Sequence, residues 1–243
     1  VVPIERLLAD AKRFRQRTGR PVITLSYAQS LDGSITVRRG RPFTLSGPES
    51  MVVTHMLRAA HDAVLVGIGT ILADNPRLTV RLVVGKNPRP IVLDSRLRFP
   101  LDSNLLRNPP VAPLIVTTPF SSRDKQEVLE AAGAQVLRMP PNTRGWVDLN
   151  ALSRALAALE VNSVMVEGGA RVITSFLCQR LVDCLVLTIT PTILGGLHAV
   201  ERPLSPDGEN VPDVARLPRL SNSGWEQLGA DIQFWTILSW EGE

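Results

Sequence analysis

The hydrophobic positions of this chain change period along its length, and those changes divide it into elements. Ile4, Leu7, Leu8, Ala11 and Phe14 recur at helical spacing within Val1–Arg20, which predicts an opening amphipathic helix stopped by Gly19–Pro21. Apolar runs of strand length follow at Val22–Ala28, Ala63–Gly67, Pro90–Asp94, Leu114–Thr117, Gln135–Arg138, Ser163–Val166 and Leu185–Ile189. They are Val/Ile/Leu-rich rather than strictly alternating, as expected where both faces of a sheet are covered. Helical segments lie between several of them. Met51–Ala60 follows the capping-box pattern Ser46–Glu49, Ser122–Ala132 starts on a serine cap, Leu149–Leu159 follows Asp148, and Ala170–Arg180 follows a glycine pair. Strands alternating with helices predict an α/β fold with a largely parallel sheet.

The C-terminal part has a different pattern. Beyond Gly195-Gly196, Pro203, Pro206, Pro212 and Pro218 predict a long surface loop. Trp225–Leu228 and Ile232–Trp240 flank Gly229-Ala230-Asp231 as a β-hairpin. The sheet is therefore expected to be mixed, mostly parallel and closed by an antiparallel hairpin. No repeat or linker divides the chain, so residues 1–243 are expected to form one domain, with 1–20 as its N-terminal helix and 21–243 as its core.

Composition narrows the classes. Of 243 residues, 44% are hydrophobic and 21% charged, which is neither a disordered nor a fibrous balance. No apolar run approaches the roughly 18–20 residues that span a bilayer. Val1–Arg20 carries Lys12, Arg13, Arg15, Arg17 and Arg20 without a continuous apolar core, so it does not read as a secretory leader. The Val-Val-Pro start, without an initiator methionine, reads as a trimmed or processed end. Cys178 and Cys184 are too few for a disulfide framework and read as core thiols in a reducing, cytosolic setting. The net charge of +4 is dispersed, which suits phosphate-bearing small molecules better than nucleic acid. His55, His61 and His198 take no metal-ligand spacing with the cysteines, so no metal is expected; His55 and His61 read as capping or packing on their helix. Neither a Gly-x-Ser-x-Gly elbow nor a Walker loop occurs.

Two glycine-lined strand exits carry the candidate chemistry. In residues 64–74 a strand runs into Gly67, Gly69 and Thr70 and ends at Asp74, with Leu72 where a Rossmann fingerprint would need its third glycine. In residues 164–174 a strand ends at Glu167, followed by Gly168, Gly169 and a helix start through Ala170, Arg171, Val172, Ile173 and Thr174. Such exits let a backbone approach a ligand, and a helix start offers N–H groups to anions. Both also serve as plain tight turns. Asn75-Pro76 forces a turn that brings Arg81 back toward the first exit, and Arg58 is a second candidate phosphate contact. Ser95 and Arg96 end another strand as a candidate contact for an adenosine ribose or 2′-phosphate, or as a plain β-turn, and Ser26–Gly33 leaves the first strand with several polar groups suited to lining a substrate or nicotinamide pocket.

Together, Ser30–Gly33, Leu57-Arg58, Asp62–Arg81, Pro90–Ser95, Val166–Gly169 and Leu181–Gly196 resemble the pyrimidine-reductase family of riboflavin biosynthesis, the reductase half of the bifunctional deaminase–reductase. The resemblance runs from about Pro21 to Gly196 and is weaker in the final hairpin. It implies a dihydrofolate-reductase-like fold, a cytoplasmic homodimer and NADPH-dependent reduction of a ribosylamino pyrimidine 5′-phosphate to its ribitylamino form. It also implies that Ala28, Gly67, Thr70, Asp74, Ser95 and the 168–174 segment meet NADPH, while Arg58, Leu78, Arg81 and Glu167 meet the substrate. Hydride would pass from the nicotinamide to C1′ of the ring-opened imine, with Glu167, Asp32 or water as the proton source. Ser26 stands where bifunctional members commonly carry lysine, and the zinc-deaminase signature is absent. A pterin- or dihydrofolate-type substrate, or nucleotide binding without catalysis, are the competing readings.

Overall fold

In a computed structural model, seven parallel strands occupy the predicted apolar runs and form the body of a nine-stranded sheet. The structure describes residues 2–41, 43–107, 109–204 and 217–240. The strands are β1 (Val22–Ser30), β3 (Ala63–Gly67), β4 (Arg89–Leu93), β5 (Leu114–Thr117), β6 (Gln135–Arg138), β7 (Ser163–Val166) and β8 (Cys184–Thr190). Antiparallel β10 (Arg219–Leu228) and β11 (Asp231–Ser239) complete the order β10-β11-β8-β1-β7-β3-β4-β5-β6. A small second sheet that the periodicity does not predict pairs β2 (Ser34–Thr36) with β9 (Leu197–His198).

Successive residues on each central strand serve opposite faces. Ala63 and Leu65 of β3 join one core, which α6 (Leu149–Ala158) and α7 (Ala170–Cys178) cover with Leu152, Leu156, Ile173 and Phe176. Val64 and Val66 join the opposite core, covered by α4 (Ile68–Asp74) and α5 (Arg123–Ala131). On that second face, Val22, Met165 and Val186 meet α1 (Val2–Ala9), α2 (Ala11–Thr18) and α3 (Pro48–Ala60). Burial on both faces explains the non-alternating strands.

Local differences have local causes. The opening helix is bent into α1 and α2 at Asp10, whose φ of −97° and ψ of 8° leave the helical region while Phe14 N–H still donates to Asp10 O at 2.9 Å. Ser122 and Asp148 cap α5 and α6 as expected. The Ser46–Glu49 capping box does not form. Gly47 is the N-cap of α3, and its N–H and the Ser50 hydroxyl both donate to Asp231 at 2.8 and 2.7 Å, so a distant carboxylate does the work expected of Glu49. The hairpin strand β10 extends back to Arg219 past an irregularity between Ser221 and Gly224. Of the proline loop, Pro206 and Pro212 lie outside the described residues.

His61 caps α3 through its side chain, as expected. Its Nδ1–H donates to Leu57 O at 2.6 Å, so Nε2 accepts from the Thr24 hydroxyl at 2.8 Å. Thr24 Oγ1 is then the acceptor for the Cys184 thiol at 3.4 Å. Burial pushes that thiol up to about 12. Cys178, expected in the core, is only half-buried, because it falls on the last turn of α7. Among the described residues, no helix is long and apolar enough to cross a membrane.

Candidate active site

Parallel strands deliver their carboxyl ends to one side of the sheet, and ligands of open α/β sheets settle beyond those ends. Here the exits of β1, β3, β4 and β7 line a single cleft of about 1020 Å³. Because β3 and β7 are neighbours, with Leu65 opposite Val166, the two glycine exits lie side by side. They also meet a common side chain. A Cβ on Gly67 would lie 2.9 Å from Val172 Cγ2, and one on Gly168 would lie 2.4 Å from Val172 Cβ. Neither glycine has a positive φ, so each is required for close packing rather than for an unusual backbone.

The start of α7 fits an anion. Gly169 is its N-cap, no side chain caps it, and its first turn contains no carboxylate but does contain Arg171. A cation there opposes the helix dipole, and an anion bound at the first-turn N–H groups offsets it. Among the described residues, Arg39, Arg41, Arg58, Arg96, Arg98 and Arg171 line the cleft against two carboxylates, Asp74 and Glu167. Room, open N–H groups and surplus cations are what a dinucleotide with its phosphates requires. Ala28, Gly67, Thr70, Asp74, Ser95 and residues 168–172 all line this cleft. Ser95 Oγ accepts from Val147 N–H at 3.1 Å, which leaves its proton to donate. Burial raises the pKa of Asp74.

Glu167 and Arg58 hold each other. Arg58 Nε–H and Nη2–H donate to the two carboxylate oxygens at 2.6 Å each, and Nη1–H donates to Thr79 O at 3.2 Å. Burial works against the Arg58 cation, but the Glu167 hydrogen bond and charge outweigh it and raise its pKa. Arg58 is thus not the free phosphate ligand expected from the sequence. The pair instead presents one neutral, fixed, hydrogen-bonding wall.

Four other expected residues lie elsewhere. Asp32 is absent from the cleft lining and anchors a loop: it accepts from the Ser30 and Ser34 hydroxyls and from the N–H groups of Leu194 and Gly195. Those bonds, Ser30 first, hold its carboxyl well below the usual range. Arg81 directs its backbone N–H to His55 Nδ1 at 2.9 Å, and the residue lines a separate cavity of about 490 Å³ with Arg77 and Arg107 instead of the cleft. Ile173 is fully buried in the core, and Thr174 Oγ1 accepts from Glu201 N–H at 3.0 Å; the inward face of α7 takes both from the cleft. Leu78 lines both cavities, buried at a φ of 52°, and forms the wall between them.

Sequence reasoning missed two contributors. The loop after β2 brings Arg39, Arg41, Phe43 and Ser46 over the cleft, and Arg39 pairs with Glu201. The Arg38-Arg39-Gly40-Arg41 cluster was its visible signal. Trp146, between β6 and α6, also lines the cleft and carried no signal, because a lone aromatic in a loop has no period.

The mixed, mostly parallel sheet, its flanking helices and the cleft at the strand ends define an α/β chain with its site beyond the carboxyl ends of the strands. The family model described as the RibD C-terminal domain matches residues 21–234, and the chain belongs to that family. The riboflavin biosynthesis protein RibD of Aquifex aeolicus is 39% identical over 204 residues, 80% of this chain and 55% of that protein. The chain thus spans about half the length of that relative. The 2,5-diamino-6-ribosylamino-4(3H)-pyrimidinone 5′-phosphate reductase of Debaryomyces hansenii is 35% identical over 74% of this chain and 79% of its own. The solved Saccharomyces cerevisiae riboflavin biosynthesis reductase Rib7 is 30% identical, with a TM-score of 0.71 over 95% of this chain and all of that one.

Proposed function

We propose that this chain is an NADPH-dependent reductase of riboflavin biosynthesis, acting on the ribosylamino side chain of a pyrimidine 5′-phosphate. The observation that carries the reading is the pair of glycine exits packed on Val172 beside the uncapped start of α7, in a cleft richer in arginine than in carboxylate. In this reading Gly168–Arg171 hold the pyrophosphate through N–H groups, and Ala28, Thr70, Asp74 and Ser95 position the rest of the cofactor. Bound there, reduced nicotinamide supplies the hydride for C1′ of the opened ribose. The protein's share is orientation. The Glu167–Arg58 pair fixes the pyrimidine or a ribose hydroxyl, and Leu78 closes the far wall. With Arg58 paired to Glu167 and Arg81 at the other cavity, Arg41 on the loop over the cleft is assigned to the 5′-phosphate. Asp74, which lines the cleft and whose pKa burial raises, is better placed than Asp32 as the proton source.

No zinc-deaminase signature stands in these 243 residues, so the reading concerns reduction alone. Two free cysteines are compatible with the cytoplasm. A homodimer is part of the proposal: β10 is a ten-residue edge strand, exposed almost throughout, with Trp225 and Leu220 outward, and natural edges of that kind are usually covered. Light scattering checks it.

The deciding assay follows NADPH oxidation with the deaminated and the diamino 5′-phosphate as separate substrates. Turnover of either supports the reading. Turnover only with a dihydropterin, or NADPH binding with none, overturns it. Arg41→Gln is expected to raise KM for the phosphorylated pyrimidine about tenfold, a typical loss for one charge-assisted contact, with NADPH affinity unchanged.

A further inference from the structure

Residues 75–81, between α4 and β4, form neither helix nor strand, so their backbone groups need partners from elsewhere. Helix α3 supplies two of them. Arg58 Nη1–H donates to Thr79 O at 3.2 Å, and the Arg81 N–H donates to His55 Nδ1 at 2.9 Å. Asn87 Oδ1 accepts the intervening Val80 N–H at 2.7 Å. The chain just beyond rides directly on the helix, since a Cβ on Gly85 would lie 2.5 Å from Ala59 Cβ. This strap carries Leu78, the buried wall between the two cavities. Its position relative to the cleft is thus set from α3, by two side chains one helical turn apart.

His55 is fully buried, and the bond it accepts fixes its tautomer. With Nδ1 as acceptor the ring proton sits on Nε2, which is buried without a hydrogen-bond partner among the described residues. Buried donors are nearly always paired, so this ring gives up stability at Nε2 to set an acceptor under the strap. The charged groups that face it are Arg58 on its own helix, Arg81 on the strap and Glu167 at the end of β7. A second ring proton would turn Nδ1 into a donor against the Arg81 N–H, and would add a third cation to two arginines and one carboxylate. We infer that His55 is a positioning residue for the pyrimidine side of the cleft: neutral, it fixes the 78–81 strap and its Leu78 wall, and protonated, it releases them. The inference rests on the substrate reading above, in which Leu78 and the Glu167–Arg58 pair bound the pyrimidine. Burial, followed by the two arginine charges, lowers the pKa of the ring, so the strap is held at and above the ordinary 6.5 and released only below it.

Two measurements on the whole chain test it. In hydrogen exchange without ligands, corrected for the intrinsic effect of pH, the wild-type 78–81 amides are expected to lose protection below pH 6.5. His55→Asn offers an amide oxygen near the Nδ1 position and takes up no proton, so its strap is expected to stay protected. In steady-state assays at saturating NADPH, His55→Leu is expected to raise KM for the pyrimidine phosphate about tenfold at about pH 8, the worth of one hydrogen bond. Its kcat and NADPH affinity are expected to stay close to wild type. His55→Asn is expected to keep a near-wild-type KM there and to show a smaller rise in acid. The substrate phosphate also titrates near pH 6 but contributes equally to both enzymes. The same acid response in wild type and His55→Asn overturns the inference. So does an unchanged KM in His55→Leu, or an equal loss of NADPH affinity, which would mark a merely structural role. If His55→Leu does not fold, the comparison with His55→Asn decides. If the wild type turns over neither pyrimidine phosphate, the proposed function fails, while exchange still decides whether His55 holds the strap.

Discussion

Arg58 and Glu167 are 109 positions apart, and in the linear order each is only a charged residue beside an apolar run. Their side chains are 9% and 16% exposed, so the forked hydrogen bond between them works in a poorly screened place. Removing one partner strands the other. Glu167→Gln is expected to cost about 3 kcal/mol of stability, as breaking a buried pair does, and to lower kcat/KM sharply; thermal melts and steady-state rates read both. Asp32 is the contrasting case. Its hydrogen bonds depress its folded pKa below the ordinary 3.8, so the stability it contributes is complete above that value and is lost as pH falls through the lowered one. Asp32→Asn is expected to flatten the acid limb of the stability profile while NADPH affinity stays unchanged. A parallel loss of cofactor binding would return Asp32 to the site.

Among the elements, α7 gives the cleft its uncapped helix start, and its position depends on packing at its first turn. Gly168 allows Val172 to sit against the strand exit, and the same contact reaches Gly67 on the neighbouring strand. Gly168→Ala places a methyl 2.4 Å from the Val172 Cβ, a branched carbon with no free rotation away from it. The helix start must shift, and NADPH affinity is expected to fall at least tenfold, measured by fluorescence titration. The two strand–glycine–helix exits were legible because apolar run, glycine and helix start are consecutive. The Ser46–Glu49 box misled for the complementary reason: Asp231, far along the chain, offered the N-cap a better acceptor. Ile173 and Thr174 were misplaced because only one side of a helix faces a cleft.

At the scale of the whole molecule, the nine-stranded sheet runs beneath the seven helices of the described residues, and we read residues 1–243 as one domain; limited proteolysis that released a stable half would contradict this. Two buried histidines give the fold a pH dependence. Burial lowers the pKa of His61, and burial followed by the Arg58 and Arg81 charges lowers that of His55. The native state therefore takes up these protons less readily than the unfolded chain, so stability is full above the ordinary 6.5 and declines below it. The melting temperature is expected to drop between about pH 7.5 and 5.5, where histidine titrates, and His61→Gln is expected to reduce that slope. The chain order by itself determined the seven parallel strands, the closing antiparallel pair and the two glycine exits, because apolar period and turn chemistry are local properties. Only the tertiary structure decided that Arg58 is neutralised, that Arg81 faces a second cavity, that Asp32 anchors a loop and that Trp146 reaches the cleft. Charge pairing and side-chain access act over a few ångströms of space, and proximity of that kind has no expression in sequence distance.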